Sequence, residues 1–157
     1  MSHFKLIQLS KKPVKKSLGN YMVEEDLYED PLLELKSDGW EVDKSKDALE
    51  AACYMLGKIG RCDMKKKTFT FMSKEELKKK YMESIEETFE NWKQTMAKNL
   101  YSLGEYLLRT CVQEACDVNS LLYYENYCHS ASSLITDYLS GYLPDTMYIG
   151  TIVDCHR

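Results

Sequence analysis

The chain has 157 residues, of which 44% are hydrophobic and 29% are charged, and its formal net charge is −4. This composition excludes a disordered chain, and the length predicts one globular domain over residues 1–157. We expect neither a secretory leader nor a membrane span, since no apolar run is long enough for either, and therefore a cytoplasmic location.

The sequence predicts an α+β fold with a small, mostly antiparallel sheet formed by N-terminal strands and one C-terminal strand. Alternating or β-rich segments predict strands at 3–9, 65–72 and 147–155, with a short further strand at 20–24. The last strand is expected to pair back into the N-terminal sheet. The basic connector at 11–20 contains Pro13 and Gly19 and is predicted to be mobile.

Helical spacing of apolar residues predicts a helix at 45–60 and a long helical hairpin or bundle at 73–141. Ser73 and Glu76 form a capping box at its start, and an apolar stripe continues from Leu77 to Leu107. One long helix over 74–115 and two shorter helices both fit this stripe. A second stripe from Leu121 to Tyr138 predicts the returning helix. The chain thus divides into a sheet-rich part (1–72), a helical part (73–141) and a final strand.

Residues 30–42 have two interpretations. One is a short helix with Asp30 as N-cap, Pro31 as first helical residue and Gly39 as terminator, followed by a strand. The other is a β-hairpin that turns at Asp38-Gly39. The helix is favoured because its start and stop signals agree with each other.

The sequence contains no recognisable catalytic motif, so we expect a non-enzymatic protein without metal or cofactor. The six cysteines are expected to be reduced and buried. Cys111 with Cys116, Cys128-His129 and Cys155-His156 are the candidate zinc ligands, but neither CxxC spacing nor a shared helix face supports them. His3, His129 and His156 are the only histidines available as catalytic bases.

Charge is strongly zoned along the chain. Residues 1–20 carry +5, residues 21–50 carry −8 and residues 51–67 carry +4. Within the acidic zone, VEEDLYED at 23–30 has five acids among eight residues. Acids near a helix start account for part of this cluster, but the excess predicts a partner of opposite charge. The predicted partner-binding residues are Glu24, Glu25, Asp26, Leu27, Tyr28, Glu29 and Asp30.

These features predict a protein-binding inhibitor from a phage or mobile element. It would present a phosphate-mimicking acidic surface to a basic, nucleic-acid-handling bacterial enzyme, for example a defence nuclease such as a CRISPR effector. One alternative is a small nucleic-acid-binding regulator, dimeric through its helices, that uses the lysines at 11–16 and 65–67. Another is a thiol- or zinc-dependent enzyme. The sequence leaves the oligomeric state and the partner's identity open.

Overall fold

A computed structural model describes residues 3–98 and 120–156 of the chain. These residues form one mixed sheet of seven strands and four α-helices, which is an α+β fold. The strands are β1 (His3–Ser10), β2 (Gly39–Val42), β3 (Gly60–Asp63), β4 (Thr68–Phe71), β5 (Ser120–Tyr124), β6 (Tyr127–His129) and β7 (Thr146–His156). The helices are α1 (Pro31–Lys36), α2 (Ala48–Leu56), α3 (Lys74–Lys98) and α4 (Ala131–Leu139). Short 3₁₀ turns occur at Lys16–Leu18 and Glu24–Leu27.

The long strand β7 organises the sheet, whose order is β3-β4-β7-β1-β5-β6. One edge of β7 pairs with β1, and the other pairs first with β4 and then with β2. The pairing of β1 with β5 is parallel, and the other five pairings are antiparallel. The predicted return of the C-terminal strand to the N-terminal sheet is therefore confirmed.

Each face of the sheet supports its own apolar core. The first core packs α2, α4 and the start of α3 on one face, and includes the buried Ile7, Leu56, Phe69, Leu122, Leu134 and Ile149. The second core lies on the opposite face, beneath the segment that runs from residue 21 into α1. It includes Leu6, Met22, Leu27, Leu33, Leu121, Tyr123, Cys128, Val153 and Cys155.

The predicted helix over 121–138 is wrong in its first half, because residues 120–129 form the hairpin of β5 and β6. Leu121 and Tyr123 enter the second core while Leu122 and Tyr124 enter the first. Both faces of β5 are thus apolar, so the alternation that marks a strand is absent. Glu125 and Asn126 make the turn with positive φ angles of 53° and 69°. The helical hairpin predicted at 73–141 is accordingly not formed over 120–129, and its stretch at 99–119 lies outside the described residues.

Other boundaries agree better with the sequence. The helical interpretation of residues 30–42 is confirmed, since α1 starts at Pro31 and β2 follows at Gly39. Ser73 and Glu76 make the predicted capping box before α3: the Glu76 N–H donates to Ser73 Oγ, and Glu76 Oε2 accepts from the Ser73 N–H. The strand predicted at 20–24 is not formed, and β3 was not predicted.

The connector at 11–20 is held by Asn20 and Gln8 rather than left loose. Asn20 Nδ2 donates to the Pro13 carbonyl, and its Oδ1 accepts from the Lys15 N–H. The buried Gln8 side chain donates to the Asn20 carbonyl and accepts from the N–H groups of Met22 and Thr151. These bonds fasten the connector and the start of the acidic segment to the sheet. None of the helices described in 3–98 and 120–156 could cross a lipid bilayer, being either too short or too polar.

Candidate functional site

The acidic segment predicted to bind a partner lies across the second face of the sheet. Met22, just before VEEDLYED, and Leu27, in its middle, are 2% and 0% exposed and fill the second core. Between them the 3₁₀ turn Glu24–Leu27 lifts the intervening side chains toward solvent. Apolar burial therefore fixes the segment in place, and Leu27 is not available at the surface for a partner.

Asp30 has a structural role that the sequence only half revealed. Its Oδ1 accepts from the N–H groups of Leu32 and Leu33 at 3.0 Å each, which is the predicted N-cap of α1. Its Oδ2 accepts from the N–H of Cys128 at 2.7 Å, across to β6. Asp30 is only 6% exposed, so this carboxylate serves the fold and is not free for a partner.

Two further acids of the segment also bond to backbone. Glu24 Oε1 accepts from the Val42 N–H of β2 at 3.1 Å, and Asp26 Oδ2 accepts from the Val23 N–H at 2.9 Å. We call Glu24, Asp26 and Asp30 the bonded carboxylates. They account for three of the five acids in the segment. The bonds of Glu24 to Val42 and of Asp30 to Cys128 are tertiary contacts that no local pattern displays, whereas the Asp26 bond and the Asp30 cap are local.

The remaining members of the predicted site, Glu25, Tyr28 and Glu29, are exposed, and we call them the outer trio. Tyr28 is 58% exposed and its ring centroid lies 6.1 Å from that of Trp40. Neither Glu25 nor Glu29 makes a side-chain hydrogen bond or ion pair within the described residues. Tyr21 and Val23, which are 37% and 43% exposed, add apolar surface nearby in the chain. The structure thus leaves a small surface that combines two free carboxylates with exposed apolar groups.

A cleft of about 830 Å³ lies beside this surface, where the parallel strands β1 and β5 end. Its lining includes Gln8, Asn20, Tyr21, Tyr123, Tyr124 and Asn126. The end of a parallel strand pair is a common place for a ligand. The sequence did not reveal this cleft, because the prediction of a helix at 121–138 concealed strand β5.

Two tyrosines of the cleft, Tyr123 and Tyr124, have pKa values raised by burial. Burial raises the pKa of Tyr123 to about 12, and the nearby Asp26 carboxylate adds to this effect. Burial also raises the pKa of Tyr124, whose hydroxyl donates to Asp137 Oδ2 at 2.7 Å. The described lining contains neither Cys nor His. The cleft therefore offers aromatic and hydrogen-bonding contacts, and its described lining holds no Cys–His pair.

The two lysine clusters of the alternative function lie on separate elements. Lys11 and Lys12 follow β1, where Lys11 pairs with Glu125 at 2.8 Å. Lys65, Lys66 and Lys67 occupy the turn between β3 and β4, next to Asp63. Lys15 and Lys16 complete the first cluster. All seven lysines are exposed, and each cluster has a carboxylate beside it that offsets part of its charge.

Among the described cysteines, Cys53, Cys62, Cys128 and Cys155 are free thiols. Burial raises the pKa of Cys62 and Cys128, and raises that of Cys155 to about 12. A nucleophilic cysteine needs a lowered pKa, whereas the pKa values of Cys62, Cys128 and Cys155 are raised. Cys111 and Cys116 lie outside the described residues. Cys128 and Cys155 belong to the second core, while the neighbouring His129 stacks on Tyr124 at 3.9 Å between ring centroids.

No protein-family model matches the chain, and no curated protein or solved structure is significantly similar to it.

Proposed function

We propose that this chain is a non-enzymatic protein that binds a basic, nucleic-acid-handling partner in the cytoplasm and blocks its nucleic-acid site. The single observation that supports this most is the outer trio, in which the side chains of Glu25 and Glu29 have no hydrogen-bond or ion-pair partner among the described residues and flank the exposed Tyr28. The proposal includes that this protein comes from a phage or mobile element and that its partner is a defence nuclease.

The physical basis is charge complementarity. Two carboxylates on one turn present negative charge to lysines and arginines that otherwise hold phosphates. Tyr28 contributes apolar area and one hydroxyl at low entropic cost, as is usual for tyrosines in protein interfaces. The bonded carboxylates are occupied by backbone N–H groups, so they set the shape of this surface while the outer trio makes the contacts.

The experiment compares two variants of equal composition. One is Glu25→Ser/Tyr28→Ser/Glu29→Ser, and the matched control is Tyr54→Ser/Glu86→Ser/Glu87→Ser, which changes exposed residues of α2 and α3. Each immobilised protein is exposed to bacterial lysate, and captured proteins are identified by mass spectrometry. We expect wild type and the control to capture a basic nucleic-acid-binding protein that the first variant does not capture. Added DNA or RNA should displace this protein. Equal capture by both variants, or capture that nucleic acid does not displace, contradicts the proposal.

A gel shift at low salt decides between this proposal and the nucleic-acid-binding regulator. Direct binding of DNA or RNA that Lys11→Gln/Lys12→Gln weakens would favour the regulator. The expected result is no shift, because the acidic chain repels phosphates and carboxylates offset both lysine clusters.

A further inference from the structure

Three side chains that are potential metal ligands meet at one corner of the sheet. His3 of β1 lies directly opposite His156 of β7, and Asp154 precedes His156 by two residues on the same strand. Residues opposite each other, or two apart on one strand, project from the same face of a sheet. His3, Asp154 and His156 therefore share a face. One ligand atom from each lies within 4.8 Å of the others.

The distances suit a small cation. His3 Nδ1 lies 2.9 Å from Asp154 Oδ2, and the two imidazole centroids are 4.6 Å apart. Zinc takes imidazole nitrogen and carboxylate oxygen at about 2.0–2.2 Å in tetrahedral geometry, which places ligand atoms roughly 3.4 Å from one another. Since the three ligand atoms lie within 4.8 Å of one another, they would have to shift their positions to hold an ion in this geometry.

A second layer of contacts orients the carboxylate. Asp154 Oδ1 accepts from Lys5 Nζ at 3.1 Å, which leaves Oδ2 for the histidine side. The ammonium of Lys5 also donates to Asp43 Oδ2 at 2.7 Å, so Asp43 offsets the positive charge that would oppose a cation. Although burial acts to raise the pKa of Asp154, hydrogen bonds from Lys5 and His3 lower it overall, and the carboxylate is ionised at neutral pH.

Among the residues that the structure describes, none covers one side of this group. Gly39 of β2 is the residue opposite His156, and a Cβ built on Gly39 would meet no atom within 4 Å. On the other side His3 is exposed. Water or an external ligand therefore has access to a cation held between the two imidazoles and the carboxylate.

We propose that His3, Asp154 and His156 form a zinc-binding site whose fourth position is open to solvent. Two imidazoles with one carboxylate favour zinc and related transition metals over the harder magnesium and calcium ions. The site joins the first and last strands of the described sheet, so the bound ion would also cross-link β1 with β7. It is separate from the outer trio, so its failure leaves the proposed function standing, whereas zinc binding with an open fourth position would favour the alternative of a zinc-dependent enzyme.

The test is a calorimetric titration of the EDTA-stripped, reduced full chain with zinc chloride. The expected result is one saturable site of micromolar or tighter affinity. His156→Ala and Asp154→Asn should each weaken it by at least about tenfold. His129→Ala is the matched control, since His129 is the described histidine outside the group, and this variant should bind zinc as wild type does.

Nuclear magnetic resonance of the imidazole groups adds a readout that does not depend on stability. Zinc should shift the ring signals of His3 and His156 and leave those of His129 in place. Thermal melting in the absence of metal shows whether a variant is still folded. If it is not, the zinc-induced shifts of the wild-type ring signals decide whether His3 and His156 bind zinc. Three results would overturn the proposal. They are unchanged zinc affinity in folded His156→Ala, no saturable zinc binding by wild type, and zinc binding that leaves the His3 and His156 ring signals unshifted. They would favour instead a plain His3–Asp154 ion pair or a thiol site for zinc.

Discussion

Asp30 and Cys128 are 98 residues apart in sequence, yet the Asp30 carboxylate accepts a hydrogen bond from the Cys128 N–H at 2.7 Å. The same carboxylate caps α1, so one buried side chain joins that helix to the β5–β6 hairpin. Through this bond the acidic segment becomes part of the second core. Its charge is consequently divided between groups that stabilise the fold and groups that face solvent.

Gly150 is expected to be needed because its lack of a side chain leaves room for Gln8, which holds the start of the acidic segment. A Cβ on Gly150 would lie 2.3 Å from Gln8 Oε1, which already accepts from Met22 and Thr151. Gly150→Ala should therefore lower the free energy of unfolding by about 2 kcal/mol or more. Gly39→Ala is the control, since its Cβ meets open space, and urea unfolding measures both. Equal stability of the two variants would show that Gln8 can move aside at little cost.

Stability should fall in acid through Asp43. Hydrogen bonds from Lys5 and Ser45 lower the pKa of Asp43 from 3.8 to about 2. A lowered folded-state pKa stabilises the protein above the unfolded value, and this contribution is lost as pH falls from about 4 to 2. We expect a loss on the order of 1–2 kcal/mol over this range. Urea unfolding as a function of pH, with EDTA present, measures it. Asp43→Asn should flatten this part of the curve, and an unchanged curve contradicts the assignment.

The turn of the β5–β6 hairpin carries removable strain. Glu125 has φ of 53°, a conformation that costs a non-glycine residue roughly 1 kcal/mol, while its ion pair with Lys11 is exposed and contributes less. Glu125→Asn/Asn126→Gly supplies the preferred pair for this turn and should raise the free energy of unfolding by about 1 kcal/mol. Thermal or urea unfolding tests this, with Lys11→Gln showing the contribution of the ion pair alone. A less stable double variant would mean that the ion pair outweighs the strain.

Local signals were sufficient where the cause of an element is local. Asp30 and Pro31 start α1 by side-chain capping and a fixed φ, and both effects are visible in the sequence. The helical prediction failed at Leu121–Cys128 because a strand buried on both faces lacks alternation, and because its apolar residues happened to repeat at intervals of three and four.

The site was harder to predict than the elements. Glu24 reaches the Val42 backbone only because the segment folds over the second core, and no pattern within 23–30 shows this. Likewise, pairing of the two ends of the chain was expected, but His3 meets His156 only in one register. Register depends on the whole sheet, including the β-bulge opposite Gln8, which a single sequence does not display.

The central claim is that the acidic segment divides into bonded carboxylates that hold the fold and an outer trio left free for a partner. The most direct measurement is the free energy of unfolding of two isosteric double variants, Glu24→Gln/Asp30→Asn and Glu25→Gln/Glu29→Gln. Each removes two negative charges from the acidic segment at 23–30. The first should lose about 1–3 kcal/mol, because the amide that replaces the Asp30 carboxylate keeps one acceptor oxygen and turns its NH₂ group toward either the α1 cap or the Cys128 N–H. The second should stay within about 0.5 kcal/mol of wild type. Equal losses, or equal gains from relieved repulsion, would contradict the division.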